Sequence, residues 1–212
     1  MKKHFWKLEY SITIFVILAI IMLLMPLKFD NYIQAGFMNQ WKDKYQKISY
    51  VFSVINAQES DNILKSLNEA KDAELKEKLL IQLMKPYLRM EKLEKVPFGY
   101  KIKFLNGEKV TKSSYYYFSD LYYTDDLQVV GIKDLPMESK SSPWYMMMFD
   151  VNGFLPPNVW GKDVYGIYIY DEGRIEPFGH NISQEQDEFD CIKTSRGLTC
   201  SDFYLIGGEL ND

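Results

Sequence analysis

Histidine and cysteine are both scarce in this 212-residue chain, at two each. So few imidazoles and thiols leave little material for a transition-metal centre or a His-dependent catalytic apparatus. An excess of positive charge is missing as well, since 25 Lys and Arg stand against 29 Asp and Glu for a net charge of −4. Without a basic field a phosphate backbone finds no electrostatic partner, which argues against nucleic acid as the main ligand. Repeats of fixed period and low-complexity tracts are also absent, which removes solenoids and linker-dominated chains. Hydrophobic residues at 47% and charged residues at 25% lie in the ordinary globular range, so wholesale disorder is excluded.

Helix breakers are missing from one half of the chain only. Of 12 Gly, Gly36 alone precedes Gly99, and of 8 Pro only Pro26 and Pro86 precede Pro97. Eleven of the 16 Tyr follow Pro97, where aromatic rings suit a pleated, half-buried surface. A helical half followed by a β half is the α+β pattern. The expected divisions are an anchor over 1–29, an amphipathic helical region over 30–96 and an antiparallel β domain over 97–212.

The longest uncharged run, Tyr10 to Pro26, is dominated by Ile, Leu, Val and Met. Its 17 residues span roughly 25 Å as a helix, and Leu27, Phe29 and snorkelling lysines extend it toward a hydrocarbon core of about 30 Å. Lys2, Lys3 and Lys7 precede it. The positive-inside rule then keeps the N-terminus cytoplasmic and exports the chain beyond residue 30 to a periplasmic or extracellular side. A cleavable signal peptide is the alternative, but Met25-Pro26-Leu27-Lys28 offers no small-x-small cleavage site.

Glu9 borders this run, where a carboxylate is costly unless headgroups solvate it or a cation pairs with it. Phe5 stands one helical turn earlier and Pro26 closes the apolar stretch. An aromatic start, a carboxylate four residues on, an unbroken apolar helix and a distal proline resemble the N-terminus of type IV pilins and of the pseudopilins of type II secretion systems. That resemblance implies cleavage between His4 and Phe5 by a prepilin peptidase, although the family places Gly where His4 stands. It implies that Glu9 pairs with the terminal amine of a neighbouring subunit and sets the filament register. It also implies a pilin-like fold, a long N-terminal helix that is transmembrane in its first half and packs on a C-terminal antiparallel sheet. The implied partners are membrane lipid, other pilin or pseudopilin subunits and an inner-membrane assembly platform. A non-polymerising single-pass protein with an exported ligand- or partner-binding β domain is the alternative.

Beyond Pro26, Ile33, Phe37, Trp41, Tyr45, Ile48, Phe52 and Ile55 recur at three- and four-residue spacings. They form one apolar stripe of an amphipathic helix, with Lys42, Asp43, Lys44 and Lys47 largely off it. A second charged helical segment runs from Ser60-Asp61 toward Lys95, and Pro86 is expected to break it near Lys85 into a helix and a short successor. Strands are expected at Tyr100–Phe104 with an Asn106-Gly107 hairpin, within 115–123 and 127–132, at 144–149 and 165–170, after a turn at 171–173, and over 203–206, four to seven in all.

Asp150, Asn152, Asn158 and Asp163 bring oxygen-bearing side chains into one loop, with Gly153 at a sharp turn. Such hard ligands suit calcium. The alternative is an Asx, Gly and Pro turn whose side chains bond the backbone. The stretch is similar to a C-terminal segment of type II secretion pseudopilins, some of which bind calcium there. Cys191 and Cys200 enclose a hairpin-sized loop that a disulfide can close in an oxidising compartment, with free thiols as the alternative. Asp150 with Asp163, or Ser201 with Asp202, has no organised triad or phosphate-binding glycine loop around it. The chain is therefore expected not to be an enzyme.

Overall fold

The computed structural model describes residues 2–58, 73–136, 139, 142–170 and 173–210, with side chains described outside 2–9, 23–31, 58, 73–74, 184 and 187. The architecture is α+β, with helices followed by one six-stranded antiparallel sheet. Two compact units divide the chain, Met1–Gly36 and Phe37–Asp212.

Helix α1 (Lys2–Gln58) contributes to both. In the first unit its described residues from Tyr10 to Met22 carry exposed apolar side chains, among them Tyr10, Phe15, Leu18 and Met22. Among the described residues no helix is long and apolar enough to cross a membrane.

In the second unit the apolar stripe of α1 buries Trp41, Ile48, Phe52 and Ile55. Helix α2 (Ala73–Leu88) adds Leu80, Met84 and Leu88 to the same core. Residues Ser60 and Asp61, the expected cap, lie outside the described residues. Pro86 does not divide the helix near Lys85. A proline lacks an N–H and crowds the carbonyl four residues back, but in the last turn the helix needs only two more residues. It ends at Leu88, and the Arg89 N–H closes it on the Lys85 carbonyl at 2.9 Å with a left-handed φ of 47°. The chain enters a strand from there, so the expected short second helix does not form.

The strands are β1 (Glu91–Lys92), β2 (Asp120–Tyr123), β3 (Val129–Asp134), β4 (Tyr145–Asp150), β5 (Val164–Ile169) and β6 (Ile175–Pro177). Each pairs with the next in the chain, giving the order β1-β2-β3-β4-β5-β6. The two most apolar segments lie inside the sheet, and every residue of β4 is buried. Alternation along β4 explains this. Tyr145, Met147 and Phe149 enter the core shared with the helices, while Met146 and Met148 enter a second core with Phe104, Phe118, Trp160 and Phe178. Both faces of the sheet are therefore covered, one by helices and the other by aromatic loop residues.

Glycines make the second face possible. Gly131 and Gly166 both pair with Met148, one from each side. An added Cβ would lie 2.7 Å from the Phe118 ring at Gly131 and 2.3 Å from the Phe178 ring at Gly166.

Two expected strands are corrected. Residues 100–104 lie outside the six-stranded sheet, although the expected hairpin closes with Phe104 N–H on the Glu108 carbonyl at 2.8 Å and Val110 N–H on Ile102 at 3.0 Å. Both sheet edges already have their strands, and Lys103 bridges instead to Val159. Residues 203–206 are not a strand, because the disulfide-linked segment starts a short helix at Cys200 whose turns continue past Tyr204. The remaining helices are α3 (Gln184–Asp190) and this α4 (Cys200–Phe203).

Candidate functional site

Phe5, Glu9 and Pro26, with the cleavage pair His4 and Phe5, lie on the backbone of α1. Their side chains lie outside the described residues.

The 150–163 loop connects β4 to β5 and is built inward. Asp150 ends β4 and is fully buried, as is Asp163 just before β5. Asp163 acts on the backbone: its Oδ2 accepts the Asn158 N–H at 2.7 Å and its Oδ1 the Val159 N–H at 2.6 Å. Its carbonyl accepts the Val151 N–H at 2.9 Å, which ties the two ends of the loop together. Asp150 Oδ2 accepts the Tyr100 hydroxyl at 3.0 Å. With its amide turned so that the nitrogen faces acceptors, Asn158 donates to Asp150 Oδ2 at 3.0 Å, to Leu155 O at 3.0 Å and to Gly153 O at 3.3 Å. Asn152 donates to the Pro156 carbonyl at 3.2 Å. Gly153 has φ 73°, and a Cβ there would lie 2.2 Å from the Leu127 carbonyl oxygen, so glycine is required.

The four residues selected from sequence thus do meet. Two oxygens among them, Asp150 Oδ1 and Asn152 Oδ1, are buried without a hydrogen-bond partner. Burial pushes the Asp150 carboxyl well above the usual carboxylate range, and the neighbouring charge of Asp163 pushes it further. Burial raises Asp163 to about 6 against the pull of its backbone N–H partners. Tyr100 is likewise raised by burial and then by Asp150. Burial and the two close carboxylates thus favour the protonated form of the pair. Among the described residues no group of three or more His, Cys, Asp or Glu is placed to hold a metal ion.

Cys191 and Cys200 form a disulfide. It holds α4 so that the buried Ser201 hydroxyl accepts the Gly166 N–H at 3.0 Å and donates to the Leu198 carbonyl at 3.1 Å. Ser201 is therefore a strand-to-helix tie, and Asp202 faces His180 rather than Ser201, with Oδ1 to Nδ1 at 3.8 Å.

Sequence reading left one region unmarked. A cleft of about 410 Å³ opens between β5, β6 and the disulfide loop, lined in part by Tyr116, Tyr168, Tyr170, Glu176, His180 and Asp190. Tyr168 lies on β5 and Glu176 on β6, and Tyr116 joins them only through folding. The one local signal is the Tyr168-x-Tyr170 spacing, which puts two rings on one face of a strand end. No protein-family model, curated protein or solved structure matches the chain.

Proposed function

We propose that this chain is a minor pilin-like or pseudopilin subunit, anchored in a membrane and assembled into a short filament of a type II secretion or type IV pilus-type system. The observation that supports this reading most is helix α1. Its side chains from Tyr10 to Met22 are exposed and, apart from Ser11 and Thr13, apolar or aromatic, whereas from Trp41 onward its stripe is buried beneath a sheet. Exposed apolar helix surface requires lipid or neighbouring helices, at about 25 cal/mol per Å² covered. In this reading lipid covers the segment before assembly and the same segment of other subunits covers it afterwards. The Phe37–Asp212 unit faces outward, an inner-membrane platform delivers the subunit, and Glu9 sets the register because an unpaired carboxylate is strongly disfavoured in an apolar filament core. The Phe5, Glu9 and Pro26 spacing supports the same assignment.

Glu9→Ala is the test. Filament incorporation should be lost while the second unit keeps its melting temperature, and normal incorporation of the variant would remove the basis of the mechanism. The mass of the N-terminal peptide from native membranes tests processing: cleavage before Phe5 with an added methyl is expected. An intact terminus favours the second reading, a non-polymerising anchored protein with an exported binding domain, for which His4 in the place of the family's Gly speaks.

We also propose calcium as a resident ion of the 150–163 loop. The unpartnered Asp150 Oδ1 and Asn152 Oδ1 are the hard oxygens that fit it. Asp150, Asn152 and Asp163 would hold the ion, and Asn158 would orient Asp150. Calcium would supply the positive charge that two buried carboxylates otherwise lack.

A further inference from the structure

The cleft beside β6 has a floor and a rim of different character. Phe178, 2% exposed, forms the floor, with Tyr168 at 4.5 Å and Tyr116 at 5.9 Å between ring centroids and Trp160 stacked behind it at 5.6 Å. The Phe178 ring is seated over Gly166, so the floor is fixed to the sheet. The rim carries Tyr170, His180, Asn181, Asp190 and Thr199.

Charge decides which ligand such a cleft accepts. Glu176 is paired with Arg174 and faces His180 Nε2 at 3.8 Å. Asp202 faces the other imidazole nitrogen, and Asp190 Oδ2 accepts the Thr199 N–H at 2.9 Å. The carboxylates are thus already matched by cations or N–H groups. An anionic ligand would be set against Glu176 and Asp190, and a cationic ligand on Tyr170 would be set against the guanidinium of Arg174, which lies 3.9 Å from that ring's centroid. The cleft then offers flat aromatic surface bordered by groups that both donate and accept, namely tyrosine hydroxyls, the Asn181 amide and the second oxygen of Asp190. The volume lies within the range of about 300–1,000 Å³ for small-ligand clefts.

We propose that this cleft binds a neutral saccharide. The apolar face of one sugar ring lies against Tyr170 and Tyr168, and its hydroxyl or acetamido groups bond Asn181, Asp190 and the Tyr116 hydroxyl. This inference does not rest on the filament reading, since the cleft belongs wholly to the second unit.

The test uses the full chain in detergent micelles and saturation-transfer NMR with three neutral probes, chitotetraose, cellotetraose and maltotetraose, each at about 1 mM, a concentration suited to weak binding. Transfer to at least one probe is expected. Tyr170→Ala should weaken it about tenfold, the order expected for loss of one aromatic contact. Asn181→Gly, which keeps the left-handed backbone at φ 68°, should weaken it without altering the melting temperature. Absence of transfer to all three probes from folded protein overturns the proposal. So does transfer that survives both substitutions, or a Tyr170-dependent response to tetramethylammonium or inorganic phosphate with none to the sugars.

Discussion

Asp150 and Asp163 hold protons more tightly in the folded chain than in the unfolded one, where an aspartate sits near 3.8. The folded state therefore binds more protons from about pH 4 up through about 6 for Asp163, and Asp150 shifts in the same direction, so their contribution is full at low pH and is lost as pH rises. For Asp163 the loss is on the order of 3 kcal/mol. Urea midpoints should fall between about pH 4.5 and 7, and Asp150→Asn should flatten that fall. Under the calcium proposal, millimolar calcium restores the midpoint at pH 7 and has little effect at pH 4.5; equal effects at both would contradict it. A different buried charge is paired directly. The side chain of Lys44 is 3% exposed and donates to Asp126 Oδ2 at 2.7 Å, while Thr124 donates to the other Asp126 oxygen at 2.5 Å. Asp126→Ala leaves an ammonium without its partner and should cost about 1–3 kcal/mol, discounted for the partly exposed carboxylate. Lys44→Met should cost less, because it removes the charge along with its need. The Asp/Asn loop was legible in sequence because its residues are neighbours. Its partner Tyr100 was not, and Lys44 read only as an off-stripe lysine because the turn that covers it lies 82 residues away.

At the scale of elements, strands with strong apolar runs were legible, and of the two edge strands β6 was legible from the turn before it while β1 was not. Strands β4 and β5 are apolar on both faces, as their composition implies, because each face meets a core. Residues 100–104 show an equally regular alternation, yet alternation records only that one side is buried, and here that side faces the aromatic loop core rather than a pairing strand. The glycines of β3 and β5 carry a meaning that periodicity does not contain, since each receives a ring from outside its own strand. Gly166→Ala should displace Phe178 and cost about 1–3 kcal/mol, the range for overpacking a close-packed site, as read by thermal melting. Gly36→Ala meets nothing within 4 Å and serves as the control. The Cys191–Cys200 bridge, at a sequence separation of nine, should contribute about 2–3 kcal/mol. Reduction under native conditions should lower the melting temperature by an amount that a Cys191→Ser, Cys200→Ser variant reproduces.

At the scale of the molecule, the Phe37–Asp212 unit contains both cores and all six strands. A fragment beginning at Phe37 should melt cooperatively with near-UV dichroism from its buried tryptophans and tyrosines. A fragment beginning after Tyr50 should not, since it lacks Trp41 and Ile48. The helix-then-sheet arrangement was legible from the placing of glycine and proline, because backbone permissiveness is a local property. The way the helix is held was not. The Trp41 ring stacks on Tyr165 at 4.9 Å, and its indole N–H donates at 2.8 Å to the carbonyl of Ser201, 160 residues away. A tensile force passed along α1 would therefore reach, at the Trp41 indole, a hold that bears on both β5 and the disulfide-braced α4, ahead of the buried Ile48 and Phe52. Those two points are tied to each other by the Gly166 N–H on the Ser201 hydroxyl, and both lie far along the chain from Trp41, so the first extension would shear a clasp rather than unzip the sheet strand by strand. The domain should yield late and abruptly under load, as a mechanical fuse does.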